Sequence, residues 1–252
     1  AAVPAREMLL TGDWVVPRIG RVPRLRKPPL AYWLIAASSQ VTGRLDEFSA
    51  RLPSALSSLA LAAIVGVWCA RLYGRRAGYL AAITIAVYVF IYTPLKRRSS
   101  TNTLVGAIPG ALPPLIGWVA AGGGLWTMGG WFLFALLFLW QLPHFVSINW
   151  LCREDYERAG YVMWSNGDES GRRSGVLAAL FCFGLAALGP VAVVLGLSGW
   201  LFGGVAVVAG LGLAVLGFAF ARSGERTSFR RFFLLTLLYL PVVLTALAID
   251  WE

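Results

Sequence analysis

Seven stretches of this chain are apolar for long enough to cross a lipid bilayer, and they decide what it can become. They cover roughly residues 55–72, 79–93, 104–121, 129–150, 175–197, 199–221 and 232–250. A hydrocarbon core takes about 20 residues of helix to cross. Lipid offers no water to bond a backbone amide, so an open chain crosses only as helix. The pattern therefore predicts an all-α, polytopic membrane helical bundle with about seven transmembrane helices. Only 13% of the residues are charged, against about 25% in an ordinary soluble domain. Mean hydropathy is +0.70. Pro109, Pro113, Pro114, Pro143, Pro190 and Pro241 fall inside the spans, where proline kinks helices and opens cavities between them.

Charge sets the orientation. The net charge is +10, and most Lys and Arg stand at the ends of apolar runs. That placement reads as topology and contact with anionic lipid, not as a nucleic-acid surface. Lys96, Arg97 and Arg98 place the end of the 79–93 span in the cytoplasm. The glycine-rich loop at 122–128 is outside, residues 151–174 inside, the turn at Leu197-Ser198-Gly199 outside, and Arg222 to Arg231 inside again. The alternation breaks at one place: Arg71, Arg75 and Arg76 make both ends of the 79–93 span basic. The fault lies close to residue 80.

Residues 1–54 differ in kind. They hold Arg6, Glu7, Asp13, Arg18, Arg21, Arg24, Arg26 and Lys27, with Pro17, Pro23, Pro28 and Pro29. An amphipathic or loop-like segment at the membrane surface is expected, with Trp14, Tyr32 and Trp33 at the interface. The chain begins without Met, as though cut from something longer. Cys69, Cys152 and Cys182 have no paired spacing and read as small hydrophobes, not a disulfide or metal set.

The chemistry concentrates between Ile91 and Asp155. A basic cluster, Lys96-Arg97-Arg98, opens this stretch, and Arg153-Glu154-Asp155-Tyr156 closes it. Two helices running out and back return both ends to one membrane face. The cations are either a topology anchor or a diphosphate site, since ammonium and guanidinium groups stabilise the charge that grows on a leaving diphosphate. The 151–174 loop carries Glu154, Asp155, Glu157, Asp168 and Glu169, either as a solvated loop balanced by its arginines or as ligands for Mg²⁺. That ion commonly takes one or two carboxylates plus substrate phosphates. Asp155 is the leading candidate, beside the membrane exit of its helix. His144, the only histidine, either faces a cavity as proton carrier or substrate contact, or is a hydrogen-bonded structural group next to Pro143. Asn102, Gln141 and Asn149 are further polar groups near the same face. No Walker-type loop, paired-cysteine site or nucleophile elbow is present.

Four runs carry a resemblance: Tyr92-Thr93-Pro94-Leu95-Lys96-Arg97, Asn102 to Pro114, Trp140-Gln141-Leu142-Pro143-His144-Phe145 and Arg153 to Gly160, with Tyr239-Leu240-Pro241 near the end. In these, residues 82–250 resemble the protoheme IX farnesyltransferases (haem O synthases) of the UbiA-type prenyltransferase superfamily. The resemblance implies transfer of a farnesyl group from farnesyl diphosphate to haem B, giving haem O. It implies Mg²⁺ as cofactor, held by Asp155 and Glu154. Lys96, Asp155 and His144 are its implied catalytic residues. Tyr92, Lys96, Arg97, Arg98, Asn102, His144, Arg153 and Tyr156 are its implied substrate contacts. It also implies a multi-pass protein of the bacterial inner membrane with cytoplasmic active-site loops, and haem A synthase or oxidase assembly factors as partners. The first of that family's two acidic motifs is absent from this sequence.

Residues 6–80 instead resemble a fragment of a polyprenyl-phosphate-sugar glycosyltransferase, through Ala5-Arg6-Glu7-Met8-Leu9, Gly12-Asp13-Trp14, Lys27 to Leu34, Glu47 to Leu56 and Leu72 to Gly78. The catalytic acidic pair of that family is absent. Two modules, 1–80 and 81–252, are expected, joined near the topological fault. The alternatives to a prenyltransferase are an inactive truncated or fused membrane protein and, behind it, a lipid-linked-sugar glycosyltransferase.

Overall fold

A computed structural model describes residues 2–20, 22–23 and 29–251. Arg21, Arg24, Arg26, Lys27 and Pro28 lie outside the described residues. The chain divides into two compact units, Ala1–Ile64 and Val65–Glu252, so the division falls at 64/65.

In the first unit, α1 (Ala2–Thr11) packs on α2 (Leu30–Thr42), with a short antiparallel hairpin, β1 (Arg18–Ile19) and β2 (Val22–Pro23), between them in sequence. Ala5 and Met8 meet Tyr32, Ile35 and Ala36 in a small apolar core. Of the two expectations for residues 1–54, an amphipathic or a loop-like segment, the helices α1 and α2 depart from the loop-like one. Tyr32 is buried in that core, while Trp33 is exposed and its indole donates to the carbonyl of Trp14 at 2.6 Å. The helix α3 (Glu47–Tyr73) starts eight residues before the expected span. Asp46 and Ser49 cap it reciprocally: the Ser49 N–H donates to Asp46 Oδ1 at 2.8 Å and the Asp46 N–H to Ser49 Oγ at 3.0 Å.

The second unit holds the helices that follow: α4 (Arg75–Ala86), a π-helical turn (Val87–Tyr92), the short α5 (Thr93–Leu95), α6 (Asn102–Ala120), α7 (Met128–Leu151), α8 (Arg153–Arg158), α9 (Arg172–Val194), α10 (Trp200–Ser223) and α11 (Arg226–Ile249). Among the described residues, seven helices are long and apolar enough to cross a membrane. Helix α7 is the hub, packed against α6, α9 and α11, while α10 joins α9 to α11 and α4 lies on α6. The six prolines of the spans all stand inside helices.

The α9–α10 contact shows how helices associate where lipid is as apolar as the side chains. Close backbone approach replaces hydrophobic drive. A Cβ on Gly189 would lie 2.5 Å from the Gly203 carbonyl oxygen, and one on Gly210 would lie 2.7 Å from the Ala186 nitrogen. At one end of the bundle Trp150, Phe220 and Phe229 interlock, the two phenylalanine rings stacked at 3.7 Å.

The connections alternate as the charges require. At one end, the Val162 N–H donates to the Lys96 carbonyl at 2.8 Å, and the Arg226 guanidinium donates to the Leu151 carbonyl at 2.9 Å. At the other, the Gly199 N–H donates to the Asp250 carbonyl at 3.0 Å, and Trp118 meets Trp251 at 5.7 Å. The basic loops around Lys96, Arg153 and Arg226 therefore share one face. Arg75 and Arg76 start the continuous span that ends at Leu95, so both ends of that span remain basic.

Candidate functional site

The site forms where α4 ends and α6 and α7 face each other at the basic end. Pro94 has no N–H to offer the Phe90 carbonyl, and the helix widens into its π turn just before it. Such turns accommodate a blocked backbone bond and recur at functional sites. The Tyr92 ring lies directly against α6, where a Cβ on Gly106 would come within 2.5 Å of it; only glycine permits that approach. One turn on, the Lys96 ammonium sits 4.4 Å from the Tyr92 ring centre and 5.9 Å from that of Tyr161.

A cavity of about 180 Å³ opens there, lined by Tyr92, Lys96, Asn102, Thr103, Gly106, Phe145, Ile148, Asn149, Tyr156, Tyr161 and Met163. Hydroxyls, amides and one ammonium line it, together with apolar groups from α7. Among the described residues no carboxylate lines it. Asn102 is fully buried, and its Nδ2 donates to the carbonyls of Ser99 and Val162, both at 2.7 Å. It thus ties the turn after Lys96 to the segment that carries Tyr161 and Met163. The Asn149 amide donates to Thr103 Oγ1 at 3.3 Å, and Ser165 donates to the Asn149 carbonyl at 2.8 Å. Burial lowers the Lys96 pKa. The Tyr156 hydroxyl is raised, first by burial and then by Cys152 and Tyr161. Among the described residues Lys96 has no ion-pair partner.

Of the residues singled out in the sequence, Tyr92, Lys96, Asn102, Asn149 and Tyr156 come together around the cavity. The others stand apart from its lining. Arg97 and Arg98 are exposed on the turn beside it. Arg153 stacks on Trp150 at 4.6 Å and reaches Glu154 at 3.8 Å. His144 is buried, its Nδ1 2.8 Å from Thr236 Oγ1 and its ring stacked between Trp140 and Phe233. It belongs to the α7–α11 interface. Gln141 is buried too and donates to the Ala107 and Leu137 carbonyls. Asp168 accepts the Ser174 N–H at 2.7 Å near the start of α9, a structural task.

Thr103, Gly106, Phe145, Ile148, Tyr161 and Met163 line the cavity without having been singled out. For α7 the signal was available: Phe145, Ile148 and Asn149 stand at i, i+3 and i+4, one helical face, and His144 lies a step off it. Tyr161 and Met163 come from a loop with no periodicity to read.

Asp155 and Glu154 were the expected metal ligands. Their side chains are 81% and 60% exposed, Asp155 paired with Arg158 and Glu154 with both Arg153 and Arg158. Among the described residues no group of three His, Cys, Asp or Glu side chains is placed to hold a metal ion.

A bundle of apolar helices with a cationic, carboxylate-free cavity at one face agrees with what sequence comparison finds. The model of the UbiA prenyltransferase family matches residues 41–240, and the chain belongs to that family. The match begins upstream of residue 80 and takes in residues 41–80 of the segment expected to resemble a glycosyltransferase. Among curated proteins the chain is 39% identical over 200 residues to the protoheme IX farnesyltransferase of Solibacter usitatus (77% of this chain, 65% of that protein). It is 46% identical over 176 residues to that of Anaeromyxobacter sp. strain Fw109-5 (67% and 56%). With the mitochondrial protoheme IX farnesyltransferase of Homo sapiens the identity is 41% over 167 residues (66% and 37%). The chain thus spans 65% or less of the length of these relatives. No solved structure matches it. UbiA prenyltransferases generally use a divalent metal ion for the diphosphate substrate.

Proposed function

We propose that this chain transfers a farnesyl group from farnesyl diphosphate to a vinyl group of haem B: diphosphate leaves, the vinyl carbon bonds to the allylic carbon, and water adds to the resulting cation with loss of a proton, giving haem O. The observation that carries the reading is Lys96: a half-buried ammonium, held by aromatic rings, in a cavity that offers it no carboxylate. Such a cation is matched to an incoming anion. The names of the relatives supply the rest: the curated proteins it resembles at 39–46% identity are protoheme IX farnesyltransferases.

In this reading Lys96 binds the diphosphate and stabilises the charge that develops on it as the bond to the allylic carbon breaks. Tyr156 and Asn149 offer neutral donors around the same oxygens. Phe145, Ile148 and Met163 keep water from the allylic carbon. Arg97 and Arg98, exposed beside the mouth, draw the anion in. Mg²⁺ is the ion we expect a diphosphate to bring. Glu154 and Asp155 would hold it after leaving Arg153 and Arg158, and it would offset charge on the diphosphate.

The basic face is proposed to be cytoplasmic and the membrane the bacterial inner membrane. Haem A synthase or an oxidase assembly factor would take up the product. The change of sequence character near residue 80 is read as a joint between two modules, 1–80 and 81–252. The test is a strain without its own haem O synthase. Membranes carrying this chain, given haem B and farnesyl diphosphate, should yield haem O, and Lys96→Met should abolish it. No haem O above that of the Lys96→Met variant would end the proposal.

A further inference from the structure

A second hollow opens at the basic end, apart from the Lys96 cavity. It measures about 530 Å³ and lies along the start of α9. Its upper wall is Ser170, Arg172 and Arg173; its lower wall is Val176, Leu177 and Leu180. Arg172 begins the membrane span. Val176 and Leu180 follow it at one and two turns, about 6 and 12 Å deeper at the rise of an α-helix. Both are exposed. A basic rim therefore stands directly above an apolar slot that runs into the bilayer.

The two arginines have an acid beside them and do not use it. The Asp168 carboxylate also lines the hollow but is 7% exposed, one oxygen accepting the Ser174 N–H and the other the Ser170 hydroxyl. Among the described residues no carboxylate pairs with Arg172 or Arg173. Arg173 gives one nitrogen to the Trp164 and Asn166 carbonyls and keeps its charge. Arg172 is exposed, and among the described residues its guanidinium has no partner.

We propose that this hollow binds one anionic phospholipid, its phosphate between Arg172 and Arg173 and one acyl chain along Val176, Leu177 and Leu180. Charge complementarity selects the anionic headgroup. The apolar wall selects a lipid over a free anion, which would gain nothing from it. The site is independent of the proposed farnesyl transfer.

The test uses the full chain, purified in a neutral detergent and titrated with phosphatidylglycerol, with phosphatidylcholine of the same acyl chains and with inorganic phosphate. Native mass spectrometry counts the lipid retained. One phosphatidylglycerol per chain is expected, with phosphatidylcholine and phosphate failing to compete. Arg172→Gln should weaken retention about fivefold, the weight of one basic residue at a membrane surface, and Arg172→Lys should largely restore it. Circular dichroism checks that each variant keeps its helices. Equal retention of both lipids, displacement by phosphate, or a folded Arg172→Gln variant that retains lipid like the parent would each overturn the proposal.

Discussion

Replacing Asn102 by leucine isolates the bond pattern that closes the cavity. Leucine keeps the same branched four-atom side chain, with two bulkier methyl groups in place of the amide N and O, and brings no charge. It removes the Nδ2 that donates at 2.7 Å to both the Ser99 and the Val162 carbonyls. The position is 1% exposed, so no water replaces the lost donor. A buried acceptor left without its partner costs about 1–3 kcal/mol. Ser99 keeps the Asn102 N–H as a second donor at 3.2 Å, so the cost falls mainly on Val162. A penalty of about 2 kcal/mol raises the population of the opened loop roughly 30-fold. Amide hydrogen exchange in lipid nanodiscs reads this directly, because the Val162 N–H is itself protected by the Lys96 carbonyl. Exchange should accelerate by about that factor at residues 96–102 and 160–166 and stay constant in α9 and α10. Unchanged protection at Val162, or equal loss in every helix, would refute the assignment of Asn102 as the tie between the two segments.

Diphosphate affinity should fall as pH rises through the lowered Lys96 pKa. The anion binds the protonated form, so binding is accompanied by proton uptake in that range; calorimetry in two buffers of different ionisation enthalpy reads it. Lys96→Arg should hold its affinity to higher pH, since guanidinium stays charged beyond about pH 12. In the free protein the sign is reversed in meaning: the unfolded chain holds the Lys96 proton more tightly, so this group's contribution to stability improves as pH rises through the lowered value. Gly210→Val should destabilise by about 1–3 kcal/mol in denaturant unfolding, because its Cβ would meet Ala186 at 2.7 Å, whereas Gly204→Val, with nothing within 4 Å, should not. A double-mutant cycle of His144→Phe and Thr236→Val should give a coupling of about 0.6 kcal/mol, the mean for hydrogen bonds inside membranes, and neither variant should change diphosphate affinity.

The spans were legible because lipid permits only one backbone solution, so composition alone predicts helix wherever the run is long enough. Their ends were less so: α3 begins at Glu47, not near residue 55, because Asp46 and Ser49 form a cap at its start. The helices of residues 1–54 were missed for a different reason. Their core is five residues, Ala5, Met8, Tyr32, Ile35 and Ala36, too few to show as a period against the surrounding arginines and prolines. In the site, Lys96 and Tyr92 were visible as one turn of a helix end. Glu154 and Asp155 drew attention as charges on the right face, yet one turn of α8 leaves their side chains in solvent while Tyr156 alone turns inward. Which of four consecutive residues faces the cavity depends on where α7 stops and α8 starts, and Cys152, which breaks the two helices, carries no sequence signal for a break.

The placement of Lys96 also bears on why the site is built from tyrosines. An ammonium withdrawn from water is disfavoured in its charged form, and the usual remedy is a carboxylate within about 4 Å. Here that remedy would defeat the purpose, because a resident carboxylate would have to be displaced by any incoming anion. An aromatic face attracts the cation by roughly 0.5–2 kcal/mol, enough to hold the side chain in place and too little to compete with a diphosphate. Tyr92 and Tyr161 supply that intermediate strength. The lowered Lys96 pKa is the measure of stabilisation still wanting in the free site, and the anion provides it on binding. Introducing an acid should therefore be more damaging than removing a ring. Thr103→Asp, facing the same cavity, should abolish diphosphate binding while raising the Lys96 pKa, whereas Tyr161→Phe, which keeps the ring, should leave both nearly as they are. The reverse order in a binding titration would show that the hydroxyls, not the uncompensated ammonium, recognise the anion.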